Sequence, residues 1–196
     1  MNILVDTLPT SLEVEGKEYK IDSDFRACLR TILAFEDAEL AGLEKSLILY
    51  NSLFVEKPDN VSEALKQGVW FLNMGSDEVD DSNGPRVFSW WKDASLIYAA
   101  FQQTHGIDLE SVEYMHWWKF LALFMDLGSE TVFCSLVGLR KRVKTGKASK
   151  EERATARELG AMFIVPEIDD RTPDEIEAER AFMSLIKARK EPTNAV

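Results

Sequence analysis

Histidine and cysteine, the residues that most often carry metal or nucleophilic chemistry, number only two each in this chain of 196 residues. Neither His105 nor His116 sits in an HExxH motif or in any paired spacing that seats a metal on one helical face. Cys28 and Cys134 lie far apart, each in an apolar helical pattern, so they read as inert core thiols rather than as a disulfide or a nucleophile. Glycine and proline are sparse as well, ten and six, which excludes collagen-like and low-complexity chains. Both Gly-rich phosphate loops, GxGxxG and GxxxxGK[ST], are missing, so nucleotide hydrolysis has no visible equipment. The densest apolar stretch, FLALFM from Phe120 to Met125, is far below the roughly 18 to 20 residues that cross a bilayer. The opening MNILVDTLPTSLEVEG has no basic leader before an apolar core, which predicts a protein that stays in the cytoplasm where it is made. These absences predict no catalytic site, cofactor or metal, and no membrane partner.

Positive charge is also short. There are 23 basic against 34 acidic side chains, a net charge of −11. Residues 1–128 hold net −12 and residues 129–196 net +1, so the excess comes from the first two thirds. A surface this acidic repels phosphate backbones, and nucleic acid is excluded as a partner. The exception is RKRVKTGKASK, where Arg140, Lys141, Arg142 and Lys144 begin a run with six cations and no acid. Such a run reads first as a solvated helix end, where cations suit the dipole, and second, with the acids Glu175, Glu177 and Glu179, as a candidate for a weak, salt-dependent contact between copies or with a partner.

What is present is helical periodicity. In SLEVEGKEYKI, Leu12, Val14, Tyr19 and Ile21 alternate with polar residues about the turn Glu15-Gly16, which predicts a β-hairpin with one apolar face. Helices are predicted next. The first is capped by Asp22 or Ser23 and carries Phe25, Cys28, Leu29, Ile32 and Leu33; the second runs from about Ala41 to Phe54, burying Leu43, Leu47, Leu53 and Phe54. A third starts near Ser62 with Leu65, Val69 and Leu72 as its stripe and stops at Gly75. GSDEVDDSNGP, Gly75 to Pro85, reads as an acidic loop whose spacing fails as a calcium site, since Val79 and Ser82 stand where the motif needs an oxygen ligand and a glycine. The fourth helix is predicted from Ser89 to His105, with Ala94, Ile97, Tyr98 and Phe101 on one face and Gly106 as terminator. The fifth, Ser111 to Leu127, holds Trp117, Phe120, Leu121 and Phe124 on one side and is apolar enough to be central. A sixth covers Glu130 to Arg142. A seventh starts at the capping box Ser149-Lys150-Glu151-Glu152 and ends before Pro166.

Beyond the polar hinge PEIDDRTP, Thr172-Pro173-Asp174-Glu175 is a strong helix start, followed to about Lys190 by a thin apolar face that includes Phe182, Met183 and Ile186. The fold class is therefore mainly α: about seven or eight helices in one domain over residues 1–166 with an N-terminal β-hairpin, then a hinge and helical extension over 167–196. Two tryptophan pairs, Trp90-Trp91 and Trp117-Trp118, stand out. Neighbours on a helix point about 100° apart, so one member of each pair is expected in the core and the other at its rim, where it can anchor a partner. A lone His116 between Met115 and Trp117 is expected to be partly buried and bonded within the protein. Candidate partner-binding residues are thus Trp118, the cations Arg140, Lys141, Arg142 and Lys144, and the extension's Phe182, Met183 and Ile186.

The stretch His116 to Arg140, HWWKFLALFMDLGSETVFCSLVGLR, resembles a family pattern "LHWWKFKALFNGL" followed by "F..VMGYR", matched at His116, Trp117, Trp118, Lys119, Phe120, Ala122, Leu123, Phe124 and Leu127, then Phe133, Val137, Gly138 and Arg140. DASLIYAAFQQTHGIDL, Asp93 to Leu109, is similar to that family's "DADLIYAAFLQQYGIDL". An opening pattern "ILTDPLP…V.GK.Y.I.TDFR" is met by Asn2 to Pro9, Val14, Gly16, Lys17, Tyr19, Ile21 and Asp24 to Arg26. The family is the bacteriophage gene-product-fifteen family, named after a Listeria phage protein. Leu139 replaces its Tyr, Phe163 to Pro166 replaces its closing "YALP", and the Thr172 helix lies beyond its usual end. The first two are apolar exchanges that one pocket accepts. The resemblance implies a tail-assembly role, because members are encoded among tail genes close to the tape measure gene, and it carries over no catalytic residue. The expected protein is a non-catalytic siphophage tail-assembly chaperone for the tape measure protein in the host cytoplasm; the alternative is a structural component of the tail or connector. Its expected partners are the tape measure protein or other tail proteins, or further copies of itself.

Overall fold

A computed structural model describes residues 3–76 and 84–166. The hairpin forms where alternation placed it: β1 (Ser11–Val14) pairs antiparallel with β2 (Lys17–Lys20), Leu12 opposite Tyr19. Glu15 and Gly16 adopt φ of 52° and 77°, the two positive values that a tight turn matching the strand twist requires. Leu12, Val14, Tyr19 and Ile21 are all buried. They face the helices: the Asp22 N–H donates to the Leu53 carbonyl at 2.7 Å, and Ile21 bridges to Phe54.

Among the described residues, seven helices follow: α1 (Phe25–Glu36), α2 (Gly42–Leu53), α3 (Val61–Leu72), α4 (Ala94–His105), α5 (Trp117–Met125), α6 (Val132–Lys144) and α7 (Lys150–Leu159), with a 3-10 turn at Gly160–Met162. The protein is mainly α with an N-terminal hairpin, as the periodicity predicts. Capping side chains set most starts. Asp24, Asn60, Thr131 and Ser149 each accept a free N–H of the helix that follows, and Ser149 completes its box with Glu152. Gly106 ends α4 in the left-handed region at φ 66°.

Helix α5 is the centre. Phe120 stacks between Phe25 of α1 and Phe101 of α4, with ring centroids 4.8 and 4.9 Å apart and planes within 10°. Offset stacks of this kind add to the area that three rings bury. Trp117 and Phe120 are each 1% exposed, while Phe124 is half-buried against Trp90 and Phe133.

Four expectations are corrected. In α2 the buried stripe is Lys45, Leu49 and Leu53, and Leu43 and Leu47 face solvent; Lys45 buries its stem and donates from Nζ to the Phe35 carbonyl at 3.1 Å. In α3 the interior side is Ala64, Gly68, Phe71 and Leu72, because the small Gly68 lets the Leu49 and Leu53 methyls approach, and Val69 is exposed. Helix α4 starts at Ala94 rather than Ser89, and its Tyr98 is exposed. Helix α5 starts at Trp117 rather than Ser111, because the preceding residues are drawn to α1: Phe25 N–H donates to Met115 O, Trp117 N–H to Ser23 O, and the Arg26 guanidinium to the carbonyls of Leu109 and Val112.

Candidate docking cleft

The surface around the end of α1 is organised by two charged residues. Glu36, the last residue of α1, accepts from the Ser89 hydroxyl at 2.8 Å and from the backbone N–H groups of Trp90 and Trp91 at 3.1 and 3.3 Å, and pairs with Arg86. These bonds wind residues 89–93 into a turn ahead of α4, with the Ser89 N–H donating to Asp93 at 3.0 Å. Asp93 is in turn paired with Arg140 at 2.7 and 3.0 Å in a fork that is almost wholly buried. The other Arg140 donors reach the carbonyls of Val87, Met162 and Phe163, so one guanidinium joins α6 to the segment before α4 and to the chain after α7.

The consequence is a rigid rim bearing a tryptophan. Trp90 turns inward to Phe88 and Phe124, and Trp91 turns outward at 78% exposed, the division the sequence predicts for this pair. Trp91 borders an open cleft of about 660 Å³ whose opposite wall is the end of α1 and the following turn, with Leu33, Ala34, Ala38 and Leu40 as apolar lining and Pro166 at its edge. Asp37 and Glu39 also line it, together with the Glu36–Arg86 pair. On the other side of Leu33 a smaller groove of about 310 Å³ is lined by Leu29, Ile97 and Leu109, and the exposed Tyr98 hydroxyl hydrogen-bonds Asp108 across its edge. Apolar walls with a few fixed charges can seat side chains of an amphipathic segment.

The residues proposed from sequence are distributed differently. Trp118 is 3% exposed, its Nε1–H donating to the Phe71 carbonyl at 2.7 Å, so both members of the Trp117-Trp118 pair are interior and Trp118 offers no partner surface in this fold. The cause is position: both indoles lie at the start of α5, where the carbonyls of Phe71 and Leu72 at the end of α3 accept both N–H groups. Arg140 is fully buried and saturated, and is corrected from a surface cation to a structural one. Lys141, Arg142 and Lys144 are exposed in the last turn of α6, with Arg142 bonded to Glu152 at 2.7 Å; they do not meet the cleft. Phe182, Met183 and Ile186, with the hinge and helix proposed for 167–196, lie outside the described residues, as do residues 77–83 of the acidic loop. Trp91 was visible only as one of a pair. Its outward direction depends on the Glu36 bonds, which join residues distant in sequence.

The residues with potential for chemistry are otherwise engaged. His116 accepts the Trp118 N–H on Nδ1 at 3.1 Å and bonds the Pro9 carbonyl through Nε2 at 2.9 Å; burial lowers its pKa, with the Pro9 bond acting the other way. His105 Nε2 bonds the Leu123 carbonyl at 2.9 Å. Burial, reinforced by Asp22 and Asp24, raises the Cys28 thiol far above its ordinary pKa, which suppresses the reactive thiolate. No cluster of three metal-ligating side chains occurs among the described residues, and no helix among them is long and apolar enough to cross a membrane.

Comparison with known proteins gives the family. The chain belongs to the family described as Bacteriophage Gp15 protein, whose model matches residues 4–164, from ahead of the hairpin to the turn after α7. No curated protein and no solved structure matches it.

Proposed function

We propose, with membership of the Gp15 family as the premise, that this phage protein is a tail-assembly chaperone without catalytic activity. In this reading it holds the long tape measure protein of a siphophage soluble in the host cytoplasm while tail subunits assemble around it. The observation that carries the proposal is Trp91, a large aromatic left exposed on a backbone fixed by Glu36, at the edge of an open apolar cleft. Tryptophan is enriched among interface anchors, and a preset anchor loses little entropy when a partner helix settles on it. The resemblance at His116 to Arg140 supplies the tail context, and the net charge of −11 opposes aggregation while apolar surface is exposed. The engagement of both histidines and the burial of Cys28 support a binding role over an enzymatic one.

The test is composition of the particle. Purified virions examined by quantitative mass spectrometry should lack this chain at stoichiometric levels. A fixed copy number per particle would replace the chaperone reading with that of a tail or connector component.

A further inference from the structure

We propose that the Trp91 cleft selects a basic amphipathic helix: a partner segment that seats apolar side chains against Trp91 and sets its cations against Asp37 and Glu39. The proposal rests on this cleft being a docking surface, and adds what its occupant must carry. The conformation follows from the backbone around the cleft, whose polar groups are largely spoken for. The N–H groups of Trp90 and Trp91 donate to Glu36, that of Ser89 to Asp93, and the Pro166 carbonyl accepts from Arg86 at 2.6 Å. On the opposite wall the Asp37 N–H donates to the Ala34 carbonyl, and the Glu39 N–H to Asp37 Oδ1 at 2.8 Å. The one sheet among the described residues is the N-terminal hairpin, and none of its residues lines the cleft. An extended segment would enter with its own N–H and C=O groups short of partners, whereas a helix arrives with them already bonded. The cleft, at about 660 Å³ and lined by Leu33, Leu40 and Trp91, then has only side chains to receive.

The sign of the charge follows from what is left uncompensated. The lining holds Glu36, Asp37 and Glu39 against the cation Arg86, and Arg86 is already paired with Glu36. Asp37 and Glu39 are exposed and make no ion pair with a described residue. Helix α1 ends here with no basic residue in its last turn, so the negative end of its dipole adds to theirs. Two neighbouring lysines are committed to backbone, Lys45 to the Phe35 carbonyl and Lys92 to that of Ala161. A Lys or Arg beside the occupant's apolar stripe therefore meets unopposed negative charge, and on the exposed Trp91 ring it gains a cation–π contact as well. An acidic helix of the same shape would set like charges together, so the lining discriminates by repulsion as much as by attraction.

Two synthetic peptides of about 18 residues, both free of tryptophan, are the probes. Each carries one leucine stripe at helical spacing on an alanine frame, flanked by Lys in the first and by Glu in the second. They are titrated into full-length protein at about 0.15 M salt, where diffuse attraction is screened. The readout is protection of Trp91 from acrylamide quenching, taken as the difference between the native chain and Trp91→Phe.

The Lys peptide should protect Trp91 saturably and bind at least about tenfold more tightly than the Glu peptide. Asp37→Asn/Glu39→Gln keeps the Asp37 Oδ1 acceptor and the side-chain shapes, and should weaken the Lys peptide about three- to tenfold, the range of two exposed ion pairs. Glu13→Gln/Glu56→Gln, the same change of charge on exposed residues that do not line the cleft, should leave its affinity within about twofold. Equal losses in the two double variants would refute the proposal, because the attraction would then belong to the whole acidic chain. A Glu peptide that binds as tightly as the Lys peptide would refute the charge rule while leaving Trp91 on a docking surface. Protection by neither peptide would also refute the proposal, and the chaperone reading would still stand or fall on the composition of the virion.

Discussion

Arg140 directs all five of its N–H groups to acceptors inside the protein: two to Asp93 and one each to Val87, Met162 and Phe163. Removing one member of such a pair leaves a charge buried without compensation, which costs about 3–5 kcal/mol. Arg140→Met should lower stability by that amount in urea denaturation, and Arg140→Lys should not restore it, because an ammonium has three donors and no planar fork. Asp93→Leu/Arg140→Met should lose clearly less than the two single variants together, since neither charge is then stranded. His116 gives a pH signature. Burial holds its folded-state pKa below the ordinary 6.5, so as pH falls the unfolded chain takes up the proton first. Its stabilising effect is complete above the unfolded pKa and is lost as pH falls from there through the folded value. Protonation would also remove the Nδ1 acceptor that caps α5 through Trp118. The urea midpoint should thus decline as pH falls through the ordinary histidine value of 6.5 and below it, and His116→Asn, which keeps a capping oxygen, should flatten that decline.

At the scale of elements, the turn after α3 tests the burial of both indoles. Gly75 adopts φ 77°, and a Cβ there would lie 2.9 Å from the Trp118 ring and 3.1 Å from Trp70. Gly75→Ala combines backbone strain with a clash against a ring that cannot withdraw, and should cost about 1–3 kcal/mol by the same denaturation assay. Elements whose signals are local were legible in the sequence: the hairpin from its alternation and turn, the start of α7 from its capping box, the end of α4 from Gly106. What escaped was set by distant partners. Helix α2 carries two stripes of similar apolarity, Leu43 with Leu47 and Leu49 with Leu53, and the packing of α1 and α3 decides between them. Residues 111–116 fit a helical pattern, yet their carbonyls are drawn to α1 by Arg26 and Phe25. Residues 89–93 fit one too, and are held apart from α4 by Glu36. The docking cleft shares this origin: Trp91 could be flagged as an aromatic, but its rim is built by Glu36, Arg86 and Arg140, each bonding across the fold.

At the scale of the molecule, a bacteriophage Gp15 protein combines an interior locked by buried polar bonds with an open apolar cleft on an acidic exterior. The locked interior argues that the walls of the cleft keep their shape. The net charge of −11 opposes aggregation of a chain that carries exposed apolar surface. The central claim is that this surface holds the tape measure protein soluble, and co-expression measures it most directly. The soluble fraction of the tape measure protein, quantified after centrifugation, should rise when the native chain is co-expressed and should fall back toward its unaided level with Trp91→Asp, a change confined to an exposed side chain. An unaided soluble fraction unchanged by the native chain would contradict the account.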